Sequence, residues 1–327
     1  MNGIKTILHY GKRTRKRILY GIKIVLATLI LYVLIDKISL QQITGALRHA
    51  RLDLILLSLA LLPLNIFFQF RKWRLLVHLV KPAAWTEILA SLLAGFSLGL
   101  ITPGRLGEFG RSVFIKNSDW KQLTGLIVID KLFAMVMVYL FGLIGFRFFL
   151  EKSANNLLWR PVLVALILLL LLIIFLILHP DIIRAMLVKV QPRLTRFHFI
   201  EQLTSAYGRF SRRHAYALFG WAICHVFTYL LQFYILINAF AYIGLVDGFL
   251  AVASAFLAKT LLPISFGDLG VRESAAIYFF SQFGISRAAA FNASFLLFLI
   301  NILLPSIVGM LVILFNRYVG KNIGLNT

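Results

Sequence analysis

Long apolar runs, nearly free of charge and spaced along the whole chain, limit what this sequence can fold into more than any other feature. A helix needs roughly 20 mostly apolar residues to cross the hydrocarbon core of a bilayer. Six stretches meet or approach that length: Ile18 to Ile35, Leu52 to Phe70, Leu123 to Phe146, Pro161 to Leu178, Ala215 to Ile243 and Ala288 to Phe315. Hydrophobic side chains make up 60% of the chain and charged ones 14%, against about 45–50% and about 25% in soluble domains. A water-soluble enzyme and a disordered chain are both excluded. The expectation is an all-α, multi-pass integral membrane protein forming a single membrane domain over residues 1–327.

The formal net charge of +22 points to anionic lipid headgroups rather than nucleic acid, because the basic residues sit in short segments between apolar runs. The lone Cys224 supports neither a disulfide framework nor a cysteine metal site. His225 beside it has no second histidine one turn on, so no metal is expected. Nucleotide loops, nucleophile elbows and metalloprotease signatures are missing as well, and no cofactor is expected. The first run follows Lys12, Arg13, Arg15, Lys16 and Arg17 and lacks a small-residue cleavage site. It reads as a retained anchor with a cytoplasmic N-terminus.

Two further runs, Ile88 to Thr102 and Phe249 to Ser265, are short, and each ends in a glycine-rich turn followed by a second, charged apolar stretch. Orientation follows the Lys and Arg in connecting segments. Eight crossings would leave 15 basic residues on the cytoplasmic side and 16 on the far side. Six crossings with two re-entrant hairpins, 87–117 and 248–284, give 21 and 7, with six at membrane depth. The second arrangement is expected in a cytoplasmic (inner) membrane with both termini inside. Its cytoplasmic set includes Arg71, Lys72, Arg74 and Lys81.

In that topology the hairpins come from opposite faces, as an inverted repeat requires. Displacing the chain by 163 residues pairs Gln69-Phe70 with Gln232-Phe233, Ala90-Ser91 with Ala253-Ser254, and Gly104, Leu106 and Gly107 with Gly267, Leu269 and Gly270. The repeats run over about residues 18–150 and 161–317.

The turns hold Pro103, Gly104 and Gly107 in the first and Pro263, Gly267 and Gly270 in the second. Proline cannot continue a hydrogen-bonded helix and glycine tolerates positive φ, so the chain breaks at membrane depth. The freed backbone groups then need protein or a water-filled cavity around them. Arg105, Glu108, Arg111, Asp268, Arg272 and Glu273 cluster at the turns, with Lys259 and the pair Asp130-Lys131 in neighbouring runs. Each such charge costs about 2.5–3.5 kcal/mol on insertion scales. Glu108 is expected to pair with Arg105 or Arg111, and Glu273 with Lys259. Guanidinium groups beside free backbone N–H groups suit a phosphate, so the expected ligand is an amphiphile with a phosphate headgroup.

Polar residues inside spans, namely His225, Gln232, Asn238, Asn292 and Asn301, are expected to bond between helices. Pro63 and Pro305 are expected to kink theirs. Ile38 to Ala50 reads as an amphipathic helix on the far surface, and Asp181 to Arg213 as a basic segment along the cytoplasmic headgroup layer.

With Pro103-Gly104-Arg105-Leu106-Gly107-Glu108, Arg111, and Gly267 through Gly270-Val271-Arg272-Glu273, the sequence resembles the flippase-like membrane family that contains the transmembrane region of lysylphosphatidylglycerol synthase. The resemblance implies a protein that moves or presents lipids, with headgroup roles for Arg105, Glu108, Arg111, Arg272 and Glu273. Asp130-Lys131 matches the family's acidic-basic pair after the first hairpin, whereas Ala134 stands where members carry a further acid. Members that make lysyl-lipid have a soluble transferase domain after the membrane part; the sequence here runs to Thr327, and that synthesis is not expected. The expected function is translocation of an anionic phospholipid or a polyprenyl-phosphate-linked lipid. The alternatives are a glycosyl or acyl transferase using a polyprenyl-phosphate donor, with Glu108 or Glu273 as base, and a secondary transporter of a small anion.

Overall fold

The computed structural model describes residues 40–102, 104–153, 159–190, 204–205, 207–261 and 269–315. The expected first span, Ile18 to Ile35, and Pro103, Pro263, Gly267 and Asp268 lie outside the described residues. Within them the chain is helical and forms no strand. The helices are α1 (Leu40–Arg48), α2 (Leu52–Ala60), α3 (Leu62–Val80), α4 (Trp85–Leu100), α5 (Trp120–Ser153), α6 (Trp159–Leu178), α7 (Pro180–Val190), α8 (Arg212–Phe240), α9 (Leu245–Leu261), α10 (Val271–Ser281), α11 (Arg287–Phe298) and α12 (Leu304–Phe315). A 3-10 helix over Leu106–Phe114 follows α4, and a π-helical turn over Leu299–Leu303 joins α11 to α12.

Among the described residues five helical stretches are long and apolar enough to cross a membrane: Leu52–Val80, Trp120–Phe149, Arg160–Leu178, Arg212–Phe240 and Arg287–Phe315. They match the five expected spans that fall within these residues. α2 and α3 form one stretch, broken at Leu61, with Pro63 in the first turn of α3 where its missing N–H costs nothing. α1 takes the place of the expected surface helix and packs on α11, Ala46 touching the small cluster of Ala288 and Phe291.

α5 is the organising helix. The 3-10 segment and α3 pack along its N-terminal part, and α9 packs along its C-terminal part. α4 and the 3-10 segment lie back to back as an antiparallel pair, and the two ends of this unit meet. Lys81 Nζ donates to the Lys116 carbonyl at 2.8 Å, and the Lys116 N–H donates to Glu87 Oε1 at 2.5 Å. The second unit, α9 and α10, reverses direction as well. Its ends lie near the other end of α5: a β carbon on Gly145 would meet the Leu250 carbonyl, and Phe283 stacks on Phe148 at 5.6 Å.

Candidate functional site

The first reversal is fixed by local backbone chemistry. α4 runs out at Leu100, and Thr102 Oγ1 turns back to the Leu98 carbonyl at 3.0 Å while accepting the Gly107 N–H at 2.6 Å. Gly104 and Arg105 follow at φ 60° and 56°, left-handed values that glycine adopts freely and arginine at some cost. Gly107 is required for a different reason: a β carbon there would stand 1.9 Å from the Leu98 carbonyl oxygen. Without side chains in the way, the returning arm lies close against α4 and carries Glu108 and Arg111 into the interior, 8% and 4% exposed.

There they meet charges from two other helices. Arg111 Nη2 lies 2.8 Å from Asp130 Oδ2, and Lys72 Nζ from α3 lies 2.9 Å from Asp130 Oδ1. Glu108 contacts Arg105 Nε at 2.5 Å and also pairs with Lys131. The Arg111 guanidinium sits 4.1 Å over the Trp73 ring, whose Nε1–H donates to Ser91 Oγ; Ser91 in turn donates to the Arg111 carbonyl. Four cations and two carboxylates therefore make one cluster of two adjoining ion-pair groups. One side of it, Lys72, Asp130 and Arg111, is buried. The other side is more open, with the Arg105 and Lys131 side chains 21% and 37% exposed. A cavity with room for about one water molecule, lined by Gln69, Leu92, Gly95, Phe96, Glu108 and Arg111, lies against the network.

Lys72 is a correction to the sequence reading, which placed it among cytoplasmic basic residues. It is 3% exposed and belongs to the core of the network. Asn65, Gln69 and Lys72 lie at i, i+4 and i+7 on α3, one face of a helix, and that polar stripe in an apolar run is the signal that could have found it. Asn65 joins two glutamines, donating to Gln232 Oε1 at 3.1 Å and accepting from Gln69 Nε2 at 2.8 Å. Gln232 also donates to the Ser58 carbonyl, so its expected bonding between helices is observed. Asn238 differs: it bonds the Tyr234 carbonyl and the Ile243 N–H, closing the end of its own helix.

The second group of charges is sealed. Arg272 and Glu273 are both fully buried. The Glu273 carboxylate accepts the Gly270 N–H at 2.6 Å at the start of α10 and pairs with Arg272. Arg272 Nε donates to Ser294 Oγ at 3.0 Å, Ser294 donates to Glu273, and the guanidinium lies 5.4 Å from the Phe298 ring centre. Glu273 is thus held by its neighbour Arg272, not by Lys259 as expected. Lys259 lies 5.1 Å from the Phe256 ring centre. Their separation along the chain looked like a hairpin pairing, but the capping contact at Gly270 fixes the Glu273 carboxylate on its own helix.

The family model for the lysylphosphatidylglycerol synthase TM region matches residues 20–309. The chain belongs to this family. The match spans both groups of charges, including the fully buried pair Arg272-Glu273. No curated protein and no solved structure matches the chain. Membership in the lysylphosphatidylglycerol synthase TM family makes this a multi-pass membrane protein whose function relates to membrane lipid, in agreement with its apolar helices.

Proposed function

We propose that the protein translocates a lipid with a phosphate-bearing headgroup, and that the headgroup passes through the charge network beside α4 and the 3-10 segment. The observation that carries this reading is four buried or half-buried cations, Lys72, Arg105, Arg111 and Lys131, gathered on two carboxylates at a chain reversal. Buried ion pairs return little net stability against matched apolar residues, so a structural role alone is a poor reason to keep so many. Arg and Lys are the natural partners of phosphate.

In the geometry described, Glu108 occupies Arg105 and Lys131, and the adjoining cavity is too small for a phosphate group. A headgroup phosphate would take over those two cations from Glu108, approaching from the open side. Lys72 and Asp130 would keep Arg111 in place during the exchange. The meeting of Lys81 and Glu87 with Lys116 supports a first unit that returns to the face it came from. The packing of the second unit along the opposite part of α5 supports the inverted arrangement. Acidic phospholipids and polyprenyl phosphates both satisfy this chemistry.

The test is headgroup movement across sealed vesicles containing the purified protein and a labelled acidic phospholipid. Arg105→Ala is expected to lower the rate at least tenfold while the protein keeps its wild-type thermal unfolding. Movement at the wild-type rate in that variant overturns the proposal. A new covalent product from a polyprenyl-phosphate donor and an acceptor would replace it with the transferase reading.

A further inference from the structure

The π-helical turn between α11 and α12 leaves a buried amide unspent. Pro305 has no N–H to offer the carbonyl four residues back, and its ring crowds that carbonyl; the residue there is Asn301. The helix opens at this point, with the Leu304 N–H reaching back to Leu299 over a π-helical interval. Asn301 is 4% exposed, yet neither its Nδ2 nor its Oδ1 has a hydrogen-bond partner among the described residues. Buried polar groups are almost always paired, and a turn of π-helix inside an α-helix often marks a functional position.

Its place in the fold sets the level of the amide along α4. Ser97 donates to the Ser306 carbonyl at 2.6 Å, and Gly309 lies so close to the Leu93 carbonyl that a β carbon would overlap it. α12 therefore runs antiparallel to α4, and the π turn itself touches α4. Extending that register back by about a turn and a half brings Asn301 level with Ile101 and Thr102, where the first reversal begins. On its other side, one turn earlier, Phe298 lies under Arg272, and Ser294 holds Arg272 and Glu273. Asn301 thus stands on the helix that links the two groups of charges.

We infer that Asn301 is a specificity residue that hydrogen-bonds a neutral group of the headgroup, a hydroxyl or an amide, while the cations hold its phosphate. A carboxamide presents two donors and one acceptor, the complement of a hydroxyl, and carries no charge with which to compete for the phosphate. The inference rests on the proposed translocation and adds the chemical class of headgroup that the site prefers.

The experiment compares phosphatidylglycerol, which carries free hydroxyls, with phosphatidic acid, a bare phosphate, as labelled lipids in vesicles containing wild-type protein, Asn301→Leu or Asn301→Ala. Wild type is expected to move the hydroxylated lipid at least tenfold faster than the bare phosphate. Asn301→Leu is expected to erase that preference, with the rate for phosphatidic acid unchanged and thermal unfolding no lower than wild type, because an apolar side chain replaces an unsatisfied amide. Asn301→Ala serves the same comparison of rates if the larger residue does not fold. A preference kept in the folded variant, or absent from wild type, overturns the inference and leaves translocation standing. Movement of neither lipid by wild type overturns the translocation reading and this one with it.

Discussion

Lys72 and Asp130, from α3 and α5, form an ion pair at 2.9 Å with their side chains 3% and 8% exposed. Asp130 is shared: its second oxygen holds Arg111. One carboxylate therefore balances two cations from two elements. Removing it leaves both uncompensated in a medium that does not solvate charge.

Asp130→Ala is expected to destabilise the protein by about 3–5 kcal/mol, the cost of breaking a buried pair by deleting one partner. Adding Lys72→Met to that variant is expected to restore part of the loss, because one orphaned charge is removed. Thermal unfolding in detergent of the two single variants and the double variant measures this. Additive losses would show that Lys72 and Asp130 do not act together.

Gly107→Ala is expected to prevent the return of the 3-10 segment along α4, since the added carbon would overlap the Leu98 carbonyl oxygen. Gly45→Ala in α1 has open space around it and is expected to behave as wild type. The yield of monodisperse protein after purification separates the two. Equal yields would contradict the close approach of the two arms.

The spans were legible because a run of apolar residues long enough to cross a bilayer needs no periodicity to be recognised. The glycines of the first reversal were legible too, and Gly107 has its role through a packing contact that only glycine permits. The partner of each charge was not. Lys72 sits between Arg71 and Arg74 and reads as part of a basic boundary, although Arg71 stacks on Trp221 and Lys72 turns inward; only the spacing of Asn65, Gln69 and Lys72 separates them. Glu273 looked free to reach Lys259 because a sequence does not show that a carboxylate three residues into α10 bonds back to the Gly270 N–H. Asp130 was expected only in a run neighbouring the turns. A carboxylate has two oxygens, and the meeting of three elements gave each one its own cation.

The orientation of the two reversals yields a separate expectation. Cysteine introduced at Ser118, after the first unit, is expected to react with an impermeant maleimide from the cytoplasmic side, in a background where Cys224 is replaced by serine. Cysteine at Ser281, at the end of α10, is expected to react only from the opposite side. Labelling of both from one face would contradict the inverted arrangement, whatever the protein transports.

The most direct measurement places a photoreactive group on the headgroup of an acidic phospholipid, irradiates it with the protein in vesicles, and maps the attached residues by mass. Attachment is expected at the more open side of the charge network, on the segment from Phe96 to Glu108 and at Lys131, competed away by the unlabelled lipid. Attachment confined to surface residues of α6 and α7, with none on that segment, would contradict it.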